Sequence, residues 1–265
     1  MKIYKYWTLE KRTIQIDGLT QEIHCYGGSN ISVEDAAQKA VEKMKKIERK
    51  IQGDKTVFED YEVEVREEIL QTIHEDAVIT RNRYGASVLN VETLLILDID
   101  KPKASIGDMF KKKDPAQNKA KIFDMVRKLA SSSKYQGLGF RLYETAQGAR
   151  VIVTGRDFDP RDSSTIKLMD EFNCDKLYTL LCQKQGCFRA RLTPKPGRMK
   201  MRGYRVKFPR EADAALDQWI STYERESQNY SVCKFIEQIG GTSLGSDVIR
   251  LHDEITKAHT HLNLA

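Results

Sequence analysis

Two carboxylates at the end of an apolar run are the strongest indication of chemistry in this sequence. Asp98 and Asp100 close the segment LLILDID. Residues i and i+2 of a β-strand point to the same face, so both carboxylates should project together. Such a pair binds a hard divalent cation, Mg²⁺ or Mn²⁺, and leaves positions for phosphate oxygens and water. The spacing therefore predicts a metal site, the alternative being a solvated strand end before a turn.

The segment RLYETAQGARVIVTG, predicted to be a β-hairpin, supplies candidate phosphate ligands. Arg141 and Thr145 alternate on the first strand, and Arg150 begins the return strand beside Gly148. Arginine is favoured where phosphate is bound by a planar fork of donors. We therefore expect these four residues to bind nucleotide phosphate. The alternative is a tight turn flanked by two solvent-facing arginines.

The basic residues are concentrated in one segment. The chain has a formal net charge of +6, yet residues 176–210 contain eleven Lys and Arg and no Asp or Glu, so the rest is net acidic. A segment that carries only positive charges, with aromatic residues between them, indicates a nucleic-acid partner, either single-stranded or template-primer. The alternative is a basic surface that only contacts solvent. The expected contacts are Arg189, Arg191, Lys195, Arg198, Lys200, Arg202 and Arg205, joined by Arg81 and Arg83.

Several classes of protein are excluded by what the sequence lacks. The sequence contains no run of about 18 apolar residues, so no membrane span is predicted, and the first residues contain no apolar signal core. The five scattered cysteines indicate reduced thiols and a cytoplasmic location. His252, His259 and His261 are expected to be solvated. No nucleophilic triad, P-loop or dinucleotide-binding glycine motif is present.

The order of elements predicts an α+β protein in three parts. Residues 1–76 are expected to form a β-hairpin followed by two helices, the first capped by Ser32 and the second over residues 62–75. Residues 77–210 should form the core: strands, a helix that begins at Asp114-Pro115, the hairpin, a helix over 162–182 and two further strands. Residues 211–265 should be helical, with a long helix over 211–239. From Leu94 onward the order β-α-β-β-α-β predicts a ferredoxin/RRM-like split β-α-β sheet.

Over residues 77–210 the sequence resembles the archaeo-eukaryotic primase superfamily, which includes primase-polymerases. The resemblance rests on LLILDID, a following helix and the TAQGAR turn, in which Arg150 stands where the family has a histidine. It implies Mg²⁺- or Mn²⁺-dependent nucleotidyl transfer from a nucleoside triphosphate, as in DNA replication or repair, with Asp98 and Asp100 as catalytic metal ligands. The family's third carboxylate has no counterpart, because the strand expected to carry it has Arg189 and Arg191.

Two other functions remain open. The first is a non-catalytic nucleic-acid-binding protein that uses the basic segment 176–210. The second follows from a weaker similarity of LLILDID and VIVTGR to haloacid-dehalogenase phosphatases. In that case Asp98 would be the nucleophile, Asp100 the acid/base and Thr154 a phosphate ligand.

Overall fold

The computed structural model describes residues 1–16, 18–54, 63–100, 115–210, 212–241 and 246–265. Within them the strands are β1 (Tyr6–Ile16), β2 (Leu19–Ser29), β3 (Glu68–His74), β4 (Ala77–Arg81), β5 (Ser87–Val91), β6 (Leu95–Asp100), β7 (Gly139–Thr145), β8 (Gly148–Thr154), β9 (Phe188–Arg191), β10 (Tyr230–Ser231), β11 (Cys233–Ile239) and β12 (Asn263–Leu264). The helices are α1 (Val33–Ile51), α2 (Pro115–Ala130), α3 (Ser163–Glu171), α4 (Lys176–Gln185), α5 (Ala214–Ser227) and α6 (Asp247–Thr256).

A four-stranded antiparallel sheet in the order β11-β7-β8-β6 forms the centre of the molecule. One face carries Leu97, Leu142 and Val151, which are fully buried, and α2 packs against β7 and β8. Apart from Asp98, Asp100 and Thr154, the residues of β6 and β8 are buried on both faces of the sheet, which explains their nearly continuous apolar runs. The opposite face carries Asp98 and Arg150, and α6 packs against part of it.

The predicted α+β class is confirmed, and the strand order refines the predicted sheet. β6 and β7 are both antiparallel to β8, which lies between them, as in a split β-α-β unit. A ferredoxin-like sheet would place the last predicted strand, β9, beside β6. Instead β9 pairs with β5 in another sheet, and the fourth strand of the central sheet is β11, which pairs with β7. The reason lies at the free edge of β6, where α4 supplies donors: the Asp175 N–H donates to the Asp98 carbonyl and the Tyr178 hydroxyl to the Ile96 carbonyl. That edge is therefore unavailable to another strand.

A second antiparallel sheet, in the order β3-β4-β5-β9, lies beside the first, and the hairpin β1-β2 carries α1. α1 begins where the sequence predicts it, with the Ser32 side chain accepting from the Asp35 N–H. α2 begins at Pro115, while Asp114 lies outside the described residues. Because β3 pairs with β4, and β11 belongs to the central sheet, both predicted domain boundaries cut through sheets.

Two predicted helices include residues that form strands, and the physical reason is the same in both. The described part of 62–75 contains β3, and the helix predicted over 211–239 ends at Ser227 and is followed by β11. The pairing register shifts twice within β3 and once within β11. A β-bulge of this kind interrupts the alternation of apolar residues and produces a spacing close to that of a helix.

Two smaller expectations also change. The helix predicted over 162–182 is two helices, α3 and α4, because Asn173 adopts a positive φ of 53° and Asp175 starts a new helix as its N-cap. The segment YRVKFP, predicted to be a strand, is an irregular loop. It is held by a backbone hydrogen bond from Val206 to Arg83.

Candidate functional site

A cleft of about 1570 Å³ brings together most of the residues predicted to be functional. It opens on the sheet face that carries the ends of β6 and β8, and the basic loop after β9 forms one wall. The predicted residues that line it are Asp98, Asp100, Thr145, Arg150, Arg81, Arg83, Arg189, Arg191, Lys195, Arg198 and Arg205. Arg141, Gly148, Lys200 and Arg202 are not among its lining residues.

The register of β6 and β8 sets the floor of the cleft. Asp98 lies directly opposite Arg150, and Asp100 lies opposite Gly148. Side chains at paired positions project to the same side of a sheet, so the carboxylates and the guanidinium share one face. Gly148 allows this close pairing, because a Cβ there would collide with the Ile99 carbonyl. Gly148 therefore has a packing role and does not line the cleft.

Acidic and basic side chains lie close together on the floor of the cleft, but Asp98 and Asp100 form no ion pair with the arginines among the described residues. Burial raises the pKa of Asp98, the positive charge of Arg150 opposes this, and the nearby Asp100 adds to it. Among the described residues, neither carboxylate has an ion pair with Arg150 or Arg191. Both acids therefore remain available to a ligand that enters the cleft.

Three further basic residues face this floor. Burial, followed by the charges of Arg150 and Arg198, lowers the pKa of Arg191 to about 10. Burial also lowers the pKa values of Lys195 and Arg198. The buried Nε of Arg191 has no hydrogen-bond partner in the described part of the chain. A bound anion would reduce the electrostatic repulsion among these closely spaced cations, so the cluster suits phosphate groups.

The basic wall is held by a small aromatic core. The Tyr223 hydroxyl donates to the Pro194 carbonyl at 2.7 Å, and Met199 is buried against the same ring. Further along, the Trp219 Nε1–H donates to the Arg202 carbonyl at 2.9 Å. The loop that follows β9 is thus fastened to α5 at several points. Its charged side chains are carried on a fixed backbone.

Some of the predicted nucleic-acid ligands have structural partners instead. Arg189 forms an ion pair of 2.5 Å with Glu67. Arg81 is paired with Glu224 at 3.0 Å and with Glu68 at 3.3 Å. These two arginines line the cleft with part of their charge already neutralised. Arg83, by contrast, is exposed and forms no ion pair with the described residues, although it stacks on Tyr84.

The structure corrects the role predicted for Arg141. It lies opposite Ile152, two residue pairs away from the Tyr143–Arg150 pair, and its Nη2–H donates to Asp253 at 2.7 Å. Thr145 does line the cleft, and its hydroxyl accepts from the Gly148 N–H at 3.0 Å. Of the predicted phosphate ligands in this hairpin, Arg150 and Thr145 therefore reach the cleft and Arg141 does not.

Sequence reasoning missed the histidine and carboxylate that lie behind Arg150. His252, expected to be solvated, is 1% exposed, and its Nε2 lies 3.0 Å from Arg150 Nη1. It lies four residues after Val248 on the buried stripe of α6. That spacing was visible in the sequence. Its partner on β8, which is 102 residues away, was not.

The residues fit a divalent cation only in part. The described residues contain no group of three or more His, Cys, Asp or Glu side chains that could hold a metal. Asp175 lies close enough to influence Asp98, but its carboxylate is used as the N-cap of α4. Mg²⁺ is commonly held by one or two carboxylates, with the remaining positions filled by substrate phosphates and water. Asp98 and Asp100 fit that pattern.

The phosphatase alternative conflicts with the sheet. β6 and β8 are antiparallel, so Asp98 and Thr154 lie near opposite ends of the pair. Thr154 is four residues beyond Arg150, which corresponds to roughly 13 Å along the strand. Its hydroxyl donates to the Gly139 carbonyl instead. Thr154 therefore cannot share a phosphate with Asp98, which argues against the phosphatase function.

Comparison with known families, characterised proteins and solved structures finds no match for this chain. Among the described residues, no helix combines the length and apolar character needed to cross a membrane. Any functional conclusion therefore depends on the geometry of the cleft.

Proposed function

We propose that this protein transfers nucleotidyl groups from a nucleoside triphosphate to a nucleic-acid strand, with a divalent cation held by Asp98 and Asp100. The observation that carries the proposal is the floor of the cleft, where two unpaired carboxylates stand beside Arg150 and Arg191. Simple anion binding needs only the cations. Carboxylates beside them would repel phosphate unless a metal ion lay between.

The basic residues divide by position into two groups. Arg150, Arg191, Lys195 and Arg198 face the two acids and would bind the triphosphate. A bound Mg²⁺ or Mn²⁺ would neutralise charge on the reacting phosphate and orient the attacking hydroxyl. This chain's own contribution is to hold the triphosphate oxygens in place and to align the strand, since positioning and charge stabilisation dominate phosphoryl transfer.

The nucleic-acid strand would follow the rim of the cleft. Arg83 and Tyr84 lie in the turn between β4 and β5, and Arg205 and Lys207 lie on the loop facing it. Exposed arginines neutralise backbone phosphates, and exposed aromatic rings stack on bases. Lys200 and Arg202 are exposed beyond the cleft and would extend the same basic surface. The resemblance to primase-polymerases supports this arrangement and remains part of the proposal.

A second candidate is a nucleic-acid-binding protein without catalysis. It is favoured by one observation, namely that the described residues provide no third metal ligand beside Asp98 and Asp100. Both candidates predict nucleic-acid binding that weakens steeply with salt. They differ in whether the two carboxylates matter.

The test combines metal binding with nucleotide incorporation. Mn²⁺ binding is followed by electron paramagnetic resonance, with and without ATP, and incorporation is assayed on a primed single-stranded template. We expect the wild type to bind Mn²⁺ more tightly in the presence of ATP and to incorporate nucleotides. Both the Mn²⁺ site and incorporation should be lost in the Asp98→Asn and Asp100→Asn variants. Asp170→Asn, which removes an exposed carboxylate on α3, is the matched control and should behave as wild type.

The outcomes separate the two candidates. Absence of a Mn²⁺ site in the wild type would refute the nucleotidyl-transfer proposal. Retained incorporation in both Asp98→Asn and Asp100→Asn would refute the role of these acids. Unchanged template affinity in the same variants, with no incorporation by any protein, would favour the non-catalytic function.

A further inference from the structure

Two buried side chains, His252 and Asp253, form a hydrogen-bonded chain that holds the guanidinium of Arg150. Arg150 is 5% exposed, and its Nη1 lies 3.0 Å from Nε2 of His252. The Nδ1 of His252 lies 2.9 Å from Oδ1 of Asp253. The Nη1 of Arg150 also donates to the Arg191 carbonyl at 3.1 Å. One nitrogen of the guanidinium is thus held by two acceptors, and His252, which provides one of them, is not a lining residue of the cleft.

The hydrogen-bonding direction follows from the chemistry of the partners. A guanidinium only donates, so Nε2 of His252 must accept, and the ring proton lies on Nδ1 and is donated to Asp253. Asp253 in turn accepts from the Tyr143 hydroxyl and from Arg141, both at 2.7 Å. The carboxylate is therefore held by His252, Tyr143 and Arg141, and Nε2 of the exposed His259 also lies 3.2 Å from its Oδ2. The imidazole consequently has one tautomer and one orientation.

The electrostatics agree with this arrangement. Burial lowers the pKa of His252 to about 4, so the ring is neutral at physiological pH. Burial acts to raise the pKa of Asp253, but hydrogen bonds from His252 and Tyr143 outweigh it and lower this pKa to about 2. The pair is thus a neutral imidazole on an ionised carboxylate.

Because the acceptor for Arg150 is a neutral imidazole, it fixes the guanidinium without neutralising its charge, which a carboxylate would do. A carboxylate bonded directly to Arg150 would neutralise most of its charge, as Glu67 does for Arg189. The imidazole instead fixes the guanidinium through a hydrogen bond and leaves its positive charge directed at the cleft. This partner therefore does not neutralise the charge of Arg150, and the side chain has little conformational freedom to lose on binding an anion.

We propose that His252, held in place by Asp253, is a positioning residue that fixes the guanidinium of Arg150 for the phosphate groups of a nucleoside triphosphate. The inference rests on the proposed function, because it takes phosphate binding by Arg150 as its starting point. His252 itself is buried and does not touch the substrate.

The test is a double-mutant cycle on ATP affinity, measured by calorimetry with Mg²⁺ present. His252→Leu removes the acceptor at similar volume, whereas His252→Gln keeps an acceptor oxygen within reach of Arg150. We expect His252→Leu to weaken ATP binding about tenfold, the effect of one hydrogen bond to a charged group, and His252→Gln to stay within about threefold of wild type. In an Arg150→Met background, His252→Leu should have no further effect.

Thermal unfolding and affinity for single-stranded DNA, measured on every variant, identify any that fails to fold. Equal loss of ATP affinity in the Leu and Gln variants, or additive effects of His252→Leu and Arg150→Met, would overturn the positioning role, since a purely structural role predicts both. If Arg150→Met weakens ATP binding and neither His252 variant does, only this inference is overturned. Failure of the wild type to bind ATP would overturn the proposed function and this inference together.

Discussion

The buried imidazole of His252 should make the stability of this protein sensitive to mild acid. In the unfolded chain a histidine takes up a proton near pH 6.5, whereas burial holds the pKa of His252 at about 4 in the folded protein. Between these values the unfolded state binds more protons than the folded state. The free energy of unfolding must therefore fall as the pH is lowered from about 6.5 towards 4.

The size of the effect follows from the two pKa values. Each unit of pKa difference corresponds to about 1.4 kcal/mol, and at pH 5 only part of the interval has been crossed. Between pH 7 and pH 5, His252 should lower the free energy of unfolding by about 2 kcal/mol. Because the ring is 1% exposed, solvent screening does not reduce this figure.

The assay is urea unfolding at pH 7 and pH 5, followed by circular dichroism, on the wild type and His252→Gln. Glutamine cannot be protonated, so the variant should lose about 2 kcal/mol less than the wild type between the two pH values. Titrating groups that do not contact His252 are common to both proteins and cancel in this difference, and Asp253, with a pKa of about 2 in the wild type, titrates below the interval. His261→Gln, which removes an exposed histidine, is the control and should follow the wild type. Equal losses in wild type and His252→Gln would refute the reasoning.

Three further predictions concern packing, buried charge and the nucleic-acid surface. Gly148→Ala forces a methyl group against a backbone carbonyl of β6 and should lower the unfolding temperature by several degrees, whereas Gly197→Ala, which meets open space, should not; differential scanning calorimetry compares them. Glu67→Gln leaves the partly buried positive charge of Arg189 without its counter-ion and should cost about 2 kcal/mol in urea unfolding; a cost near zero would show that the pair contributes nothing. Arg205→Gln should reduce the slope of log affinity for single-stranded DNA against log salt by about 1, and an unchanged slope would remove Arg205 from the interface.

Local chemistry was predictable from the sequence wherever neighbours along the chain decide the outcome. Ser32 begins α1 and Pro115 begins α2, because capping and the first helical turn depend on a few consecutive residues. Asp98 and Asp100 share a face because alternation is a property of any strand. The basic character of 176–210 needs no fold at all.

Strands with bulges were not predictable in the same way. β3 and β11 both carry apolar residues at a spacing that suits a helix, and only their partners β4 and β7 select the extended conformation. Pairing between strands depends on backbone donors and acceptors that sequence spacing does not reveal. A misassigned β11 also concealed the true edge of the central sheet.

The division between sequence and tertiary structure is sharpest at the two arginines of the β7-β8 hairpin. By type and spacing, Arg141 and Arg150 are equal candidates for binding phosphate. The register of β6 against β8 places Arg150 opposite Asp98, while α6 directs Asp253 onto Arg141. Residue types and their alternation along each strand are determined by the chain itself. Which of two equivalent cations faces the cleft is decided only when distant segments pack, because hydrogen bonds and charges act through space.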